Sequence, residues 1–273
     1  MSIDISDAFV KQFESEVHVA YQRMGSKLRN TVRSKSNVRG ASTTFQRVGR
    51  GSAGVKSRHG MVPVMSLDHS NVECSLTDFY AADYIDKLDE LKINHDERGV
   101  VTQSVAAALG RKSDDLLIAA MDTTTQTVTE AGTDGLTLAK INTVFEVFGN
   151  NDVPDDGQRY FVISPHAWTD LLSINAFSDA DFIGSDDLPY KGGMVAKRWL
   201  GFMWMTHSGL PIASNIRRTY AFHNSAVGMA SGAEVTTEVN YIPERAAHLV
   251  TAMMSQGAVL IDAQGVYEVQ IRE

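Results

Sequence analysis

The chain has 273 residues, 43% of them hydrophobic and 21% charged, which is enough to bury a sizeable core in one large or two smaller domains. Its single cysteine, Cys74, excludes an internal disulfide and a zinc site built from several cysteines, and we expect a buried thiol in a reducing compartment. No apolar run approaches the ~18 residues of a membrane helix, and the acidic start MSIDISDAF does not resemble an export signal. We therefore expect no membrane partner and no N-terminal processing.

The charges are unevenly divided along the sequence. The formal net charge is −8, yet no acidic residue lies between Gln22 and Gly60. Outside that segment the chain carries 15 basic and 33 acidic residues, a charge of −18. This division favours nonspecific nucleic-acid binding or attraction to the acidic body of another copy, and a solvated tail is the third interpretation. The segment's cations are Arg23, Lys27, Arg29, Arg33, Lys35, Arg39, Arg47, Arg50, Lys56 and Arg58.

The first predicted elements are a helix and a long two-stranded excursion. Residues 6–24 have apolar side chains at helical spacing. Two β-like runs, Thr43–Val48 and Met61–Met65, then flank the glycine-rich stretch GRGSAGVKSRHG, which predicts a hairpin with a glycine-rich tip. A further strand is expected over Val72–Ile85.

The rest of the chain mixes helices and strands. The longest predicted helix is Asp96–Met121, and Pro165 is expected to open a short helix, because the first turn does not need its missing N–H. The aromatic run Trp199–Met205 predicts a core strand rather than a ligand pocket. Further predicted elements are a helix over Leu136–Gly149 and strands over Arg159–Ser164, on both sides of Gly201, over Thr219–His223, and over Val235–Ile271 with breaks at Gly257 and Gly265.

Two loops resemble ligand sites but lack part of the required pattern. Gly49, Gly51 and Gly54 match G-x-G-x-x-G, yet no helical pattern follows them, as a dinucleotide site requires. The loop Asp179–Asp187 resembles a calcium loop, but Ile183 stands where an oxygen ligand is needed. We expect neither loop to bind its ligand.

No set of residues has the pattern of a catalytic site. Ser164, His166 and Asp170 are hydrolase residue types, but the sequence has no G-x-S-x-G turn to present a nucleophile. The eight histidines form no pair spaced by three or four residues, so a helical metal site is unsupported. We expect no catalytic residue, no metal and no cofactor, which makes an enzyme the least supported class.

Five segments occur in an order that is typical of one known family. They are the basic excursion at 36–76, LGRKSDDLLIAAM from Leu109, RYFVISPHAWTDLL from Arg159, KGGMVAKRWLGFMWMTHSGLP from Lys191, and SQGAVLIDAQGVYEVQI from Ser255. In this order they resemble the major capsid proteins of tailed bacteriophages, whose Hong-Kong-97-type fold also occurs in encapsulins. The resemblance covers nearly the whole chain and rests on pattern more than on invariant motifs.

The resemblance implies an α+β fold with named parts. It implies copies that assemble as pentamers and hexamers into an icosahedral virion shell around double-stranded DNA, after assembly in the host cytoplasm. The implied parts are an N-terminal arm at 1–35, an extended β-hairpin called the E-loop at 36–76, a peripheral (P) domain at 77–135 with its spine helix at about 96–122, a mixed α/β axial (A) domain at 136–234, and long antiparallel P-domain return strands at 235–273.

The resemblance also implies partners and contact residues. Besides other copies and nonspecifically bound DNA, the partners are a portal, a decoration protein in some relatives and, because only about thirty-five residues precede the E-loop, a separate scaffolding protein. We hypothesise that one set of cations contacts the adjacent subunit and that a second set faces the genome. The first set is Arg39, Arg47, Arg50, Lys56 and Arg58, and the second is Arg23, Lys27, Arg29 and Arg33.

Two other functions remain open at this point. An encapsulin-like nanocompartment shell has the same fold with an enzyme cargo in place of DNA, and the basic segment weakly favours the virus. A basic-armed DNA-binding protein acting alone is a different class, and its binding should collapse as salt is added.

Overall fold

The computed structural model describes residues 25–90, 96–128, 135–178 and 193–273. The predicted helix at 6–24 and the calcium-like loop Asp179–Asp187 lie outside the described residues, so neither prediction is tested. No helix among the described residues is long and apolar enough to cross a membrane.

The described chain follows a mixed order of strands and helices. Its first part contains β1 (Arg33–Lys35), β2 (Ser42–Val48), β3 (His69–Ser75), β4 (Thr77–Asp86), α1 (Lys87–Glu90), α2 (Glu97–Met121), β5 (Thr127–Val128) and α3 (Leu138–Asn150). The remainder contains β6 (Arg159–Ile163), α4 (Pro165–Leu172), α5 (Asn175–Ser178), β7 (Lys197–Trp199), β8 (Phe202–Thr206), β9 (Ile212–Ala213), β10 (Ile216–His223), β11 (Val227–Ile242), β12 (Ala247–Leu260) and β13 (Val266–Arg272).

The chain divides into two compact units. The first contains Asp78–Lys112 and Ala233–Ser255, and the second contains Lys27–Thr77, Ser113–Gly232 and Gln256–Glu273. These bounds differ from the predicted domain ranges, because α2, β11 and β12 contribute residues to both units and β13 belongs to the second. The assignment of arm, E-loop, P-domain and A-domain therefore stays a prediction.

In the first unit, α2 packs against a sheet. Val101, Val105 and Leu109 recur every four residues, so they share one face of the helix. They pack against Ala252 and Met254 of β12, where alternate residues point to the same side of the strand. The sheet that contains β12 has the strand order β1-β11-β12-β4, and β1 pairs with the part of β11 that belongs to the second unit.

The second unit is built on a mixed sheet that is buried on both faces. Its strand order is β5-β13-β10-β6-β8-β7, and β9 also pairs with β10. Side chains along β6 point alternately to the two faces of the sheet. Phe161 and Ile163 therefore pack in one hydrophobic cluster with α3 and α4, and Val162 packs in another with the end of α2. The predicted core strand is confirmed, because Phe202 and Trp204 of β8 are completely buried in the first of these clusters.

Strands β2 and β3 form the hairpin, with antiparallel pairing from Ser42↔Ser75 to Val48↔His69. The prediction that Met61–Met65 is the second strand is wrong, and so is the prediction of one strand over Val72–Ile85, which is divided between β3 and β4. Pro63 lies within Met61–Met65 and lacks the N–H that a strand ladder needs, so it disfavours strand pairing of that segment. Pairing at β3 instead places Cys74 in the core, as predicted for this residue.

Several local predictions are confirmed. Ser164 caps α4 by accepting a hydrogen bond from the Ala167 N–H, and Pro165 is the first residue of that helix.

The predicted break at Gly257 is wrong, because β12 continues through it to Leu260. A Cβ atom at Gly257 would lie 2.0 Å from the Ser75 carbonyl oxygen, so this glycine permits close packing of β12 against the hairpin.

Candidate functional site

The base of the hairpin is fixed to the second unit by apolar packing. Phe45 of β2 and Cys74 of β3 are buried together with Ala230 and Ile261. The Phe45 ring fits because a Cβ atom at Gly228 would lie 2.9 Å from it. The Val38 N–H donates to Ser231, and the Leu76 N–H donates to Ala41, which completes the attachment.

The hairpin tip, residues 49–68, exposes apolar side chains and contains no helix and no paired strand. The exposed fraction is 100% for Val55, 94% for Met61 and 92% for Val64. Gly51 and Gly54 face the returning leg of the tip, where a Cβ atom on either would lie within 3 Å of Met65 or Pro63 respectively. Close approach of the two legs therefore explains these glycines, and no helix follows them to build a dinucleotide site.

Two of the five cations predicted to contact an adjacent subunit have acidic partners within their own chain. An Arg47 guanidinium nitrogen lies 3.1 Å from Asp262 Oδ1, and Arg50 Nη1 lies 3.2 Å from Asp152 Oδ2. Both pairs are partly solvent-exposed, so each contributes little to stability. Arg39, Lys56 and Arg58 are exposed and have no ion-pair partner among the described residues. The subunit-contact role of the five stays a prediction.

The residues predicted to face a genome are spread along the start of the described chain. Arg23 lies outside the described residues. Lys27 Nζ is 3.5 Å from the Thr206 carbonyl oxygen, Arg29 lies in a single 3-10 turn, and the Arg33 guanidinium lies 5.7 Å from the centre of the Phe45 ring. Their genome-facing role stays a prediction.

A buried carboxylate, which sequence reasoning missed, anchors residues 27 and 28. Asp114 of α2 accepts hydrogen bonds from the backbone N–H groups of Lys27 and Leu28, both at 3.1 Å, and lies 3.0 Å from His207 Nε2. His207 Nδ1 accepts from the Gly209 N–H, so the ring proton sits on Nε2 and is donated to Asp114. The sequence signal was an aspartate in the apolar half of a helix.

A second polar group joins the end of α2 to β10. Asp122 Oδ1 accepts hydrogen bonds from the Tyr220 hydroxyl and an Arg218 guanidinium nitrogen, each at 2.7 Å. Burial raises the pKa of Asp122, but these hydrogen bonds and the Arg218 charge outweigh it, so the pKa lies below its ordinary value. Burial and the Asp122 carboxylate raise the pKa of Tyr220, which keeps its hydroxyl proton as the donor.

Replacing Asp122 with Asn is expected to lower the free energy of unfolding at pH 7 by roughly 1–2 kcal/mol, because it weakens the hydrogen bonds from Tyr220 and Arg218. The loss stays small because the carboxylate is one-third exposed and solvent screens its charge. Because the folded pKa is depressed, the stabilisation is complete above the unfolded pKa of about 3.9 and is lost as the pH falls through the folded value. The variant should therefore lose less stability on acidification, measured by urea unfolding between pH 7 and pH 3.

The control for this experiment is Asp68→Asn, an exposed carboxylate on the hairpin tip. It should follow the wild-type pH profile. An Asp122→Asn profile parallel to the wild type over the whole range would contradict the role given to Asp122.

The hydrolase residue types do not form a catalytic arrangement. The Ser164 hydroxyl donates to the Glu273 carboxylate, while His166 Nδ1 lies 3.9 Å from Asp170 Oδ2 on the surface of α4. In the part of the chain that the structure describes, no three His, Cys, Asp or Glu side chains are grouped so that they could hold a metal ion.

One protein family matches the chain over nearly its whole length. Residues 5–273 match the model of the family described as phage capsid protein. No curated protein sequence matches the chain.

Solved structures share this fold over nearly their whole length. The capsid structure of the cyanophage P-SCSP1u has a TM-score of 0.76 at 19% identity, covering 96% of this chain and 93% of that chain. Mycobacterium phage Che8 gives 0.77 at 17% identity, covering 96% and 97%. The capsid of a native GTA particle gives 0.77 at 12% identity, covering 99% and 98%. At these identities the likeness shows the fold, and the prediction of a Hong-Kong-97-type α+β fold is confirmed.

Proposed function

The chain belongs to the phage capsid protein family, and from this premise we propose that it is the major capsid protein of a tailed bacteriophage. Its role is structural rather than enzymatic. Copies associate as pentamers and hexamers into an icosahedral shell around double-stranded DNA, and the mature location is the virion capsid. Assembly takes place in the host cytoplasm with a separate scaffolding protein and a portal, and a decoration protein is an optional further partner.

The observation that carries self-association is the hairpin tip. Its apolar side chains, Val55, Met61 and Val64 among them, gain nothing from their own subunit because they contact almost only solvent. Burying one such side chain contributes ~1.5–3 kcal/mol, so a neighbouring surface that covers the tip gains several kcal/mol per contact. Apolar exposure of this kind marks an interaction site.

The rigid base of the hairpin suits this role. Because Phe45 and Cys74 fix the base in the core, each copy presents the tip in the same direction. A contact between the tip of one copy and a different surface of the next is head-to-tail, and such contacts close into rings such as pentamers and hexamers. Residues 36–76 would then be the E-loop. Arg39, Lys56 and Arg58 would add charge attraction to an acidic neighbour, since the body of the chain is strongly acidic.

The proposal predicts that Met61→Ser combined with Val64→Ser abolishes particles and leaves a folded subunit. Both side chains are exposed, so their loss should change the free energy of unfolding by less than about 0.5 kcal/mol. Particles are measured by negative-stain electron microscopy and sedimentation, with and without the scaffolding protein. Icosahedral shells, or pentamers and hexamers, are expected for the unmodified chain and not for this double variant.

The matched control is Met194→Ser combined with Val195→Ser, which removes the same two residue types from an exposed segment outside the hairpin. This variant should assemble normally. Normal particles from the hairpin variant would contradict the role of the tip, and an unmodified chain that stays monomeric under all conditions would overturn the shell. Nucleic acid inside the particles separates a phage head from an enzyme-filled nanocompartment.

A further inference from the structure

A groove lies between β1 and β2 in the second unit. Its volume is about 390 Å³, and it is lined by three consecutive residues of each strand: Arg33, Ser34, Lys35, Thr44, Phe45 and Gln46. All of these side chains are exposed except Phe45, whose ring is buried in the core at the hairpin base. The groove therefore has a polar rim around one apolar contact.

Both strands that border the groove have one unused edge. Strand β1 pairs with β11 alone and β2 pairs with β3 alone, so within the described residues their other edges carry no ladder of hydrogen bonds. An edge of this kind presents alternating N–H and C=O groups, which is a template for the addition of another strand. The backbone thus favours an extended polypeptide as the occupant.

The side chains add a preference for negative charge. Arg33 and Lys35 are two residues apart, so they lie on the same side of β1. Both reach towards β2: the Arg33 guanidinium lies 5.7 Å from the Phe45 ring centre, and Lys35 Nζ donates to Thr43 Oγ1 at 2.8 Å. Among the described residues, no acidic one lines the groove. Acidic side chains at alternate positions of an added strand would meet these two cations.

We propose that this groove binds an extended segment of a partner protein that carries acidic residues at alternate positions. Nucleic acid fits less well, because a phosphate backbone offers acceptors but no N–H donors to pair with the strand edges. A second copy fits less well too, since no strand of the described residues has acidic side chains two positions apart. Self-association through the hairpin tip is a separate contact, so this proposal does not depend on it.

The test uses a fluorescent peptide, TEVEVT, and measures its anisotropy with the folded unassembled chain. Binding should weaken by roughly tenfold for the peptide TEPEVT, which has the same charge but lacks one backbone N–H. It should weaken by about tenfold or more for the variant Arg33→Glu with Lys35→Glu. The matched control, Lys87→Glu with Arg272→Glu, reverses two exposed cations outside the groove and should bind as the unmodified chain does.

Three results would overturn the proposal. Equal binding of TEVEVT and TEPEVT would show charge attraction without strand addition. Displacement of the peptide by a DNA duplex of matched charge would identify a phosphate site instead. Loss of particle formation in the Arg33→Glu, Lys35→Glu variant when the chain assembles without a scaffolding protein would identify a second copy as the occupant. Should that variant fail to fold, the milder Arg33→Gln with Lys35→Gln variant gives the same comparison.

Discussion

Replacing Asp114 with Ala is expected to lower the free energy of unfolding by about 3–5 kcal/mol, because it removes the buried acceptor of three hydrogen bonds. Asp114 and His207 are both fully buried, and the carboxylate also accepts the backbone N–H groups of Lys27 and Leu28. With Ala at this position the buried Leu28 N–H and the buried His207 ring N–H lose their acceptor, and each such group costs about 1–3 kcal/mol. Urea unfolding of purified subunits at pH 7 measures the loss.

The adjacent Asp115 provides the matched control, because its side chain is exposed on the same helix. Asp115→Ala should change the free energy of unfolding by less than about 0.5 kcal/mol. Hydrogen exchange supplies a second readout: the Lys27 and Leu28 amides should lose protection selectively in Asp114→Ala. A loss below about 1 kcal/mol with both amides still protected would contradict the anchoring role.

Replacing Trp204 with Ala is expected to cost about 3–5 kcal/mol, because it opens a cavity in the largest hydrophobic cluster. The Trp204 ring stacks on Phe161 with centroids 4.3 Å apart and planes 10° apart, and its Nε1–H donates to the Trp199 carbonyl oxygen. Packing, stacking and this hydrogen bond are all lost together. Thermal and urea unfolding, with near-ultraviolet circular dichroism, measure the effect.

Met203 provides the comparison on the same strand, since it points to the opposite side of β8 and is only half-buried. Met203→Ala should cost clearly less than Trp204→Ala, and Trp204→Phe should recover part of the loss by keeping an aromatic ring on Phe161. An equal cost for the two alanine variants would mean that β8 does not face the core as described.

Features that depend on neighbouring residues could be predicted from the sequence. The spine-like helix α2 and the start of α4 follow from apolar spacing and from the Ser164–Pro165 pair, which act within a few residues. Likewise the aromatic pattern around Trp204 identified a core strand, because its alternate side chains are buried in one cluster.

The second hairpin strand could not be predicted for a physical reason. Met61–Met65 is apolar, which predicts a strand, but its side chains are exposed in the isolated chain. The apolar pattern therefore does not identify a segment that packs in the core of this chain. At β3, by contrast, the alternation is weak, and pairing is fixed by burial of Cys74 next to Phe45. Only the folded core distinguishes the two candidates.

Contacts between residues that are far apart in the chain also could not be predicted from the sequence. The cations Arg47 and Arg50 could be named, but Asp262 and Asp152 lie more than 100 residues further along the chain. Nothing local relates Asp114 to His207, which are 93 residues apart. The prediction of a strand break at Gly257 is wrong, because this glycine accommodates the Ser75 carbonyl of another element and β12 continues through it.

The burial of Cys74 makes the chain convenient for site-specific labelling. Only the thiolate reacts readily with maleimides, and burial both hides this sulfur and raises its pKa. A cysteine placed at the exposed Ser57 on the hairpin tip would therefore carry a dye without removal of the native thiol. Such a dye would follow the environment of the tip in real time, from the free subunit to the closed shell.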